Sequence, residues 1–114
     1  MLQSLEMEGP YQLSFDNIDK IVKKDSPGNF ALGHFISENR FIQYIGRSDQ
    51  NIRECLKNWV GFAMHFKFSY ASDSQKAYEK ECQNYHDFVG QDYYFKPHPK
   101  KPENTDYKCP VCKM

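Results

Sequence analysis

Residues 28–46 read GNFALGHFISENRFIQYIG, and the periodicity of this stretch decides the fold class. From Asn29 to Ile36, the residues Phe30, Leu32, His34 and Ile36 fall on one side of an extended chain. Ala31, Gly33 and Phe35 fall on the other, which is the period of two that a strand imposes. Ser37-Glu38-Asn39-Arg40 is polar and turn-forming. Phe41 to Gly46 then reads as a second strand, so the stretch predicts a hairpin.

Working outward, residues 1–12 read as a loosely ordered lead-in. Ser14 is placed to cap a short helix whose apolar positions are Ile18, Ile21 and Val22, ended by Ser26-Pro27-Gly28. On the other side, Arg47-Ser48-Asp49 is expected to cap a second helix. Its stripe Ile52, Cys55, Leu56 and Trp59 has helical spacing, Cys55 is read as core, and Gly61 stops it. Met64 to Tyr70 alternates, with Met64, Phe66, Phe68 and Tyr70 opposite His65, Lys67 and Ser69, and predicts a third strand. Ser72 or Asp73 opens a third helix reaching about Val89, with Tyr78, Cys82, Tyr85 and Val89 buried and Gly90 at its end. The expected architecture is one α/β (α+β) domain over residues 1–114. It has a core at 13–90, built on a small, three-stranded, mostly antiparallel sheet flanked by helices, and a tail at 91–114.

Composition narrows the function. The 15 basic and 15 acidic side chains cancel, so no overall field draws the chain to nucleic acid or acidic lipid. No apolar run nears the roughly 20 residues that span a bilayer. The first residues, MLQSLEMEGP, lack the basic start and apolar stretch of a signal peptide. The expectation is therefore a cytoplasmic, membrane-free protein with reduced cysteines.

The tail holds four of the six prolines and few apolar groups, so something must order it. Cys82 and His86 are four apart on the third helix and project from adjoining turns of one face. Cys109-Pro110-Val111-Cys112 is a C-x-x-C knuckle, the spacing at which two thiolates reach one ion from a tight turn. Cys82, His86, Cys109 and Cys112 together form a closed set for structural Zn2+, whose binding would order the tail. His98 is a substitute ligand on paper, although its flanking prolines favour an exposed loop. Buried core for Cys82 and a redox pair for the knuckle are the competing readings.

The triplets Gly28-Asn29-Phe30 and Tyr44-Ile45-Gly46, followed by Glu81 on a later helix, resemble the GIY-YIG endonuclease superfamily. The run YIGRSD, the segment EKECQNYHDF and the terminal CPVC look like small stand-alone relatives with a cysteine-rich tail. The resemblance covers roughly residues 28–90. It implies hydrolysis of DNA phosphodiesters, with Mg2+ or Mn2+ at Glu81 and Tyr44 orienting the attacking water. Phe30 stands where that pattern has a tyrosine, and Cys55 stands at its arginine position. Arg47 and His34 are the candidate replacements, the one for charge and the other as a base. Arg40, Arg47, Arg53, Lys57 and the basic stretch 96–101 offer phosphate contacts, with Tyr93, Tyr94 and Phe95 as stacking surfaces. With two groups missing, the leading expectation is a divergent zinc-binding, nucleic-acid-associated protein with weakened or lost nuclease activity. An active DNA endonuclease and a protein-interaction module are the alternatives. Neighbours on a helix point about 100° apart, so the zinc and Glu81 are expected not to share a site.

Overall fold

The computed structural model describes residues 5–36, 39–89 and 96–113. The alternation in residues 28–46 does become a hairpin: β2 (Gly28–Ile36) pairs antiparallel with β3 (Asn39–Ser48). The second strand outruns its expected end at Gly46, because Arg47 and Ser48 continue the ladder opposite Asn29 and Gly28. The extension displaces the helix cap expected at 47–49. Asn51 caps α2 (Ile52–Lys57) instead, its side-chain oxygen accepting from the Glu54 amide at 3.1 Å.

The fold is α+β, with a four-stranded antiparallel sheet in the order β1-β4-β2-β3 in place of the three strands expected. The additional strand, β1 (Glu8–Gln12), lies in the presumed lead-in and pairs with β4 (His65–Tyr70). Gly9-Pro10 hides it from a periodicity reading, since proline gives no N–H to a ladder. An edge strand tolerates that loss, and β1 is an edge. α1 (Phe15–Ile21) is capped by Ser14, as its sequence signals, with the Asn17 amide 3.2 Å from the hydroxyl. α3 (Ser74–Phe88) is capped by Asp73. The helix end expected at Gly90 lies outside the described residues.

The sheet separates two apolar layers. On one face Phe30, Leu32, Phe66 and Phe68 pack with Ile18 and Val22 near α1 and with Ile52 and Leu56 of α2. Cys55 is partly buried against this cluster. Met64, expected inside, is 46% exposed because it falls before the paired part of β4. On the opposite face Ala31, Ile42 and Ile45 meet Phe88 of α3 and Leu5.

A buried polar contact helps to set where α3 lies, beside the packing of Phe88 on the sheet. The fully buried Asn29 donates from its side-chain nitrogen to the Ala77 carbonyl at 2.8 Å. Asn29 stands opposite Arg47 in the β2–β3 register, and Glu81 lies one helical turn beyond Ala77. This latch therefore brings Glu81 over the edge strand at Arg47.

Candidate metal centre and adjoining cleft

The donor atoms of His86, His98, Cys109 and Cys112 all lie within 4.8 Å of one another, a group that could hold a metal ion such as zinc. The knuckle supplies its two sulfurs from a turn, in which the Cys112 amide points at Cys109 Sγ from 3.5 Å. Burial opposes ionisation of Cys109, but amides of Cys112 and Val111 and the side chains of His98 and Cys112 outweigh it. They draw the thiol down to about 6, so it is a thiolate at neutral pH. His98 Nδ1 sits 2.8 Å from the Pro99 carbonyl, a contact that needs the proton on Nδ1. That tautomer leaves Nε2 as the lone-pair donor, 3.4 Å from Cys112 Sγ. A tetrahedral zinc site has a nitrogen-to-sulfur edge of about 3.5 Å, from its bond lengths. His86 Nε2 is buried and has no hydrogen-bond partner among the described residues, as befits a metal ligand. The residues present therefore fit the ion.

The expected ligand set differs at one position. Cys82 lies outside the group, and His98 stands in its place. Cys82 is fully buried with Tyr78 and Cys109 in a small cluster beneath the knuckle. Burial pushes its thiol up to about 12, so it stays protonated. The flanking prolines suggested an exposed loop for His98, whereas the residue is half-buried.

The same His98 also lines a cleft of about 420 Å3, whose other walls include Tyr44, Arg47, Asp49 and Glu81. Glu81 stays outside the donor group, as its angular offset from the zinc-facing side of the helix implies, but the two sites are neighbours because the tail residue His98 belongs to the one and lines the other.

In the cleft, Arg47 Nη1 donates to Glu81 Oε1 at 2.6 Å and Nε donates to Asp49 Oδ1 at 2.7 Å. The guanidinium also lies 5.1 Å from the Tyr78 ring. Glu79-Lys80-Glu81 is not the wet helix face that such a charge run suggests. Glu81 is 7% exposed, and Lys80 reaches the Glu6 carbonyl and the Ser69 hydroxyl. Burial raises the Glu81 carboxyl above its usual range even against the attraction of Arg47. Tyr44 stacks on Trp59 at 4.7 Å while also facing the cleft. Burial, helped by the nearby Glu81 charge, raises its phenol, so it remains a hydroxyl donor. Gly46 explains part of this packing, because a Cβ there would meet the Phe30 and Tyr44 rings at 2.7 Å.

The other named residues fall elsewhere. His34 pairs with Phe41 toward the far end of the hairpin and does not line the cleft. Phe30 is buried at 1% exposure. Arg53 and Lys57 converge on Asp19, at 3.3 and 2.8 Å, on the α1–α2 surface. The Arg40 backbone belongs to β3, but its side chain lies outside the described residues, as do Tyr93, Tyr94 and Phe95. Asp49, expected only as part of a helix cap, pairs with Arg47 instead, and its two-residue spacing from Arg47 is the one signal of that in the sequence. The K-P-H-P-K pattern at 96–100 was the available signal for His98. No helix among the described residues is long and apolar enough to cross a membrane. Compared with protein-family models, curated proteins and solved structures, the chain matches none of them.

Proposed function

We propose that this chain is a zinc-stapled, nucleic-acid-binding domain of the GIY-YIG-like kind whose nuclease machinery is weakened or lost. The observation that carries the reading is the Arg47–Glu81 pair inside the cleft. A carboxylate that holds Mg2+ or Mn2+ must turn its oxygens to the cation. Glu81 turns Oε1 to Arg47, and Asp49 takes the guanidinium from the other side. The cleft therefore holds a guanidinium fixed between two carboxylates, where the nuclease pattern needs an open carboxylate. Phe30 has no hydroxyl, and Cys55 has no charge at the position of the pattern's arginine. Each lost donor of this type commonly costs about 10²–10³ in rate. Two thiolates with two imidazoles are a ligand set that suits zinc.

The second reading is an active, metal-dependent DNA endonuclease using Tyr44, Glu81 and Arg47. It is favoured by the cleft that joins all three. Incubation with plasmid and with single-stranded DNA in Mg2+ or Mn2+, beside a Glu81→Ala variant, separates the two. The first reading expects oligonucleotide binding that weakens with salt, and little or no cleavage. Cleavage abolished by Glu81→Ala establishes the enzyme instead. Absence of any mobility shift at low salt overturns the nucleic-acid reading.

A further inference from the structure

We infer that the metal held by His86, His98, Cys109 and Cys112 sets Lys96 and Lys100 on the rim of the cleft, as a two-cation clamp for the phosphates of a nucleic-acid strand. The inference rests on the proposed nucleic-acid reading of the cleft and adds the residues and the ion that shape it.

Residues 96–100, Lys-Pro-His-Pro-Lys, form one continuous wall of the cleft, facing Arg47 and Glu81. This wall belongs to no strand or helix. Pro97 and Pro99 fix their own φ and remove two N–H donors, and they drive the residues before them into extended conformations. The segment is therefore stiff but cannot be held by a backbone ladder. Its middle residue is its anchor. His98 belongs to the donor group, with Nε2 3.4 Å from Cys112 Sγ, and its other ring nitrogen bonds to the adjoining Pro99 carbonyl. Lys96 and Lys100 lie two residues to either side, and both are exposed.

Stiffness makes the arrangement cooperative. Fixing His98 fixes the direction of the strap on both sides, and so the positions from which the two ammonium groups reach the cleft. Arg47 is held deeper, between Asp49 and Glu81. A phosphodiester entering the cleft would meet the lysines at its rim first, since the guanidinium deeper in is flanked by Asp49 and Glu81. Without the ion, His98 is held by its ring contacts with Tyr85 and His86, at 5.3 and 5.1 Å between centroids, and the lysines lose part of their common orientation.

The test compares binding of a fluorescent single-stranded oligonucleotide by zinc-loaded protein, chelated protein and a loaded Lys96→Ala/Lys100→Ala variant. Zinc content and melting temperature are measured in parallel. Loss of two phosphate contacts should flatten the slope of log affinity against log salt by about 1.4, and weaken binding on the order of tenfold at 0.1 M salt. The lysine variant should show both changes with its zinc content and melting temperature unaltered. Chelated protein should bind like that variant or more weakly. A His98→Ala variant that loses slope together with zinc stoichiometry would complete the link. Equal affinity and slope for the loaded wild type and the loaded lysine variant would overturn the clamp while leaving the nucleic-acid reading intact. That comparison stands even if chelation unfolds the chain. Equal binding by loaded and folded chelated protein would sever the metal from the cleft. Failure of the loaded wild type to bind any oligonucleotide removes the underlying reading, and the clamp with it.

Discussion

On the α1–α2 face of the sheet, Phe30, Leu32, Phe66 and Phe68 meet Ile18, Val22, Ile52 and Leu56 in a cluster made of hydrocarbon alone. On the α3 face a smaller apolar cluster shares the interior with the buried Asn29, Glu81 and Asn84. Side-chain atoms of Asn29, Asn84 and His86 on this second side are buried without a hydrogen-bond partner among the described residues, as are Gln43 Oε1 on β3 and Arg53 Nε on α2. Burying a polar group without a partner costs free energy, so the three around α3 are a cost that stability alone does not explain. The first face supplies stability, and it lets the second carry groups that are expensive to bury and chemically useful.

The largest effect should come from the apolar face. Phe66→Ala removes a fully buried ring and should destabilise the chain by about 3–5 kcal/mol in denaturant melts. A loss below about 1 kcal/mol would break the distinction between the faces. The metal comes next. If zinc binds only the folded chain, holding it at a hundredfold its Kd adds about 3 kcal/mol. Chelation, or Cys109→Ser, should accordingly lower the melting temperature and open residues 96–113 to limited proteolysis. Full stability after chelation would remove zinc from the tail.

Arg47→Met sharpens the contrast in a pH-dependent way. In the wild type the folded Glu81 carboxyl lies above its unfolded value, so its contribution to stability is greatest at low pH. That contribution falls as pH rises through the folded value. Removing Arg47 raises the folded value further, so the variant should lose about 1–3 kcal/mol at pH 8 and less at pH 5. A loss that did not depend on pH would mean that the pair is not electrostatically coupled. Gly46→Ala should destabilise by about 1–3 kcal/mol, because the added methyl meets both the Phe30 and Tyr44 rings. Smallest of all, Arg53→Ala and Lys57→Ala should leave melting temperature and oligonucleotide affinity near wild type. Both residues are committed to Asp19 on a solvated surface away from the cleft. A clear fall in affinity would place nucleic acid on the α1–α2 surface instead.

The features legible in the sequence are those whose cause is local. Ser14 caps α1 because its hydroxyl needs only the amide three residues on. Phe66 and Phe68 face inward because a strand alternates, and the pairing of β2 with β3 is signalled by two alternating stretches set either side of a short polar run in the sequence. The knuckle cysteines were visible from spacing alone. Features whose cause lies beyond the first turn or pleat leave little local signal. β1 was lost to Gly9-Pro10, which breaks the pattern of a strand that only an edge position allows. The burial of Glu81, a residue the family resemblance names, is masked by its charged neighbours, because it depends on β3 lying beneath α3.

The sequence by itself determined the α+β class, the hairpin, the aromatic layer and two thiols poised for a metal. Each follows from periodicity or from contacts within a few residues. Only the tertiary structure decided that His98 takes the place expected of Cys82 and that Arg47 closes on Glu81 across 34 residues of chain. It also decided that the metal group and the cleft share a wall. Those choices turn on long-range contacts such as Asn29 to Ala77 and Lys80 to Ser69 and on where a proline-stiffened tail returns, and none of these leaves a periodic trace in the chain.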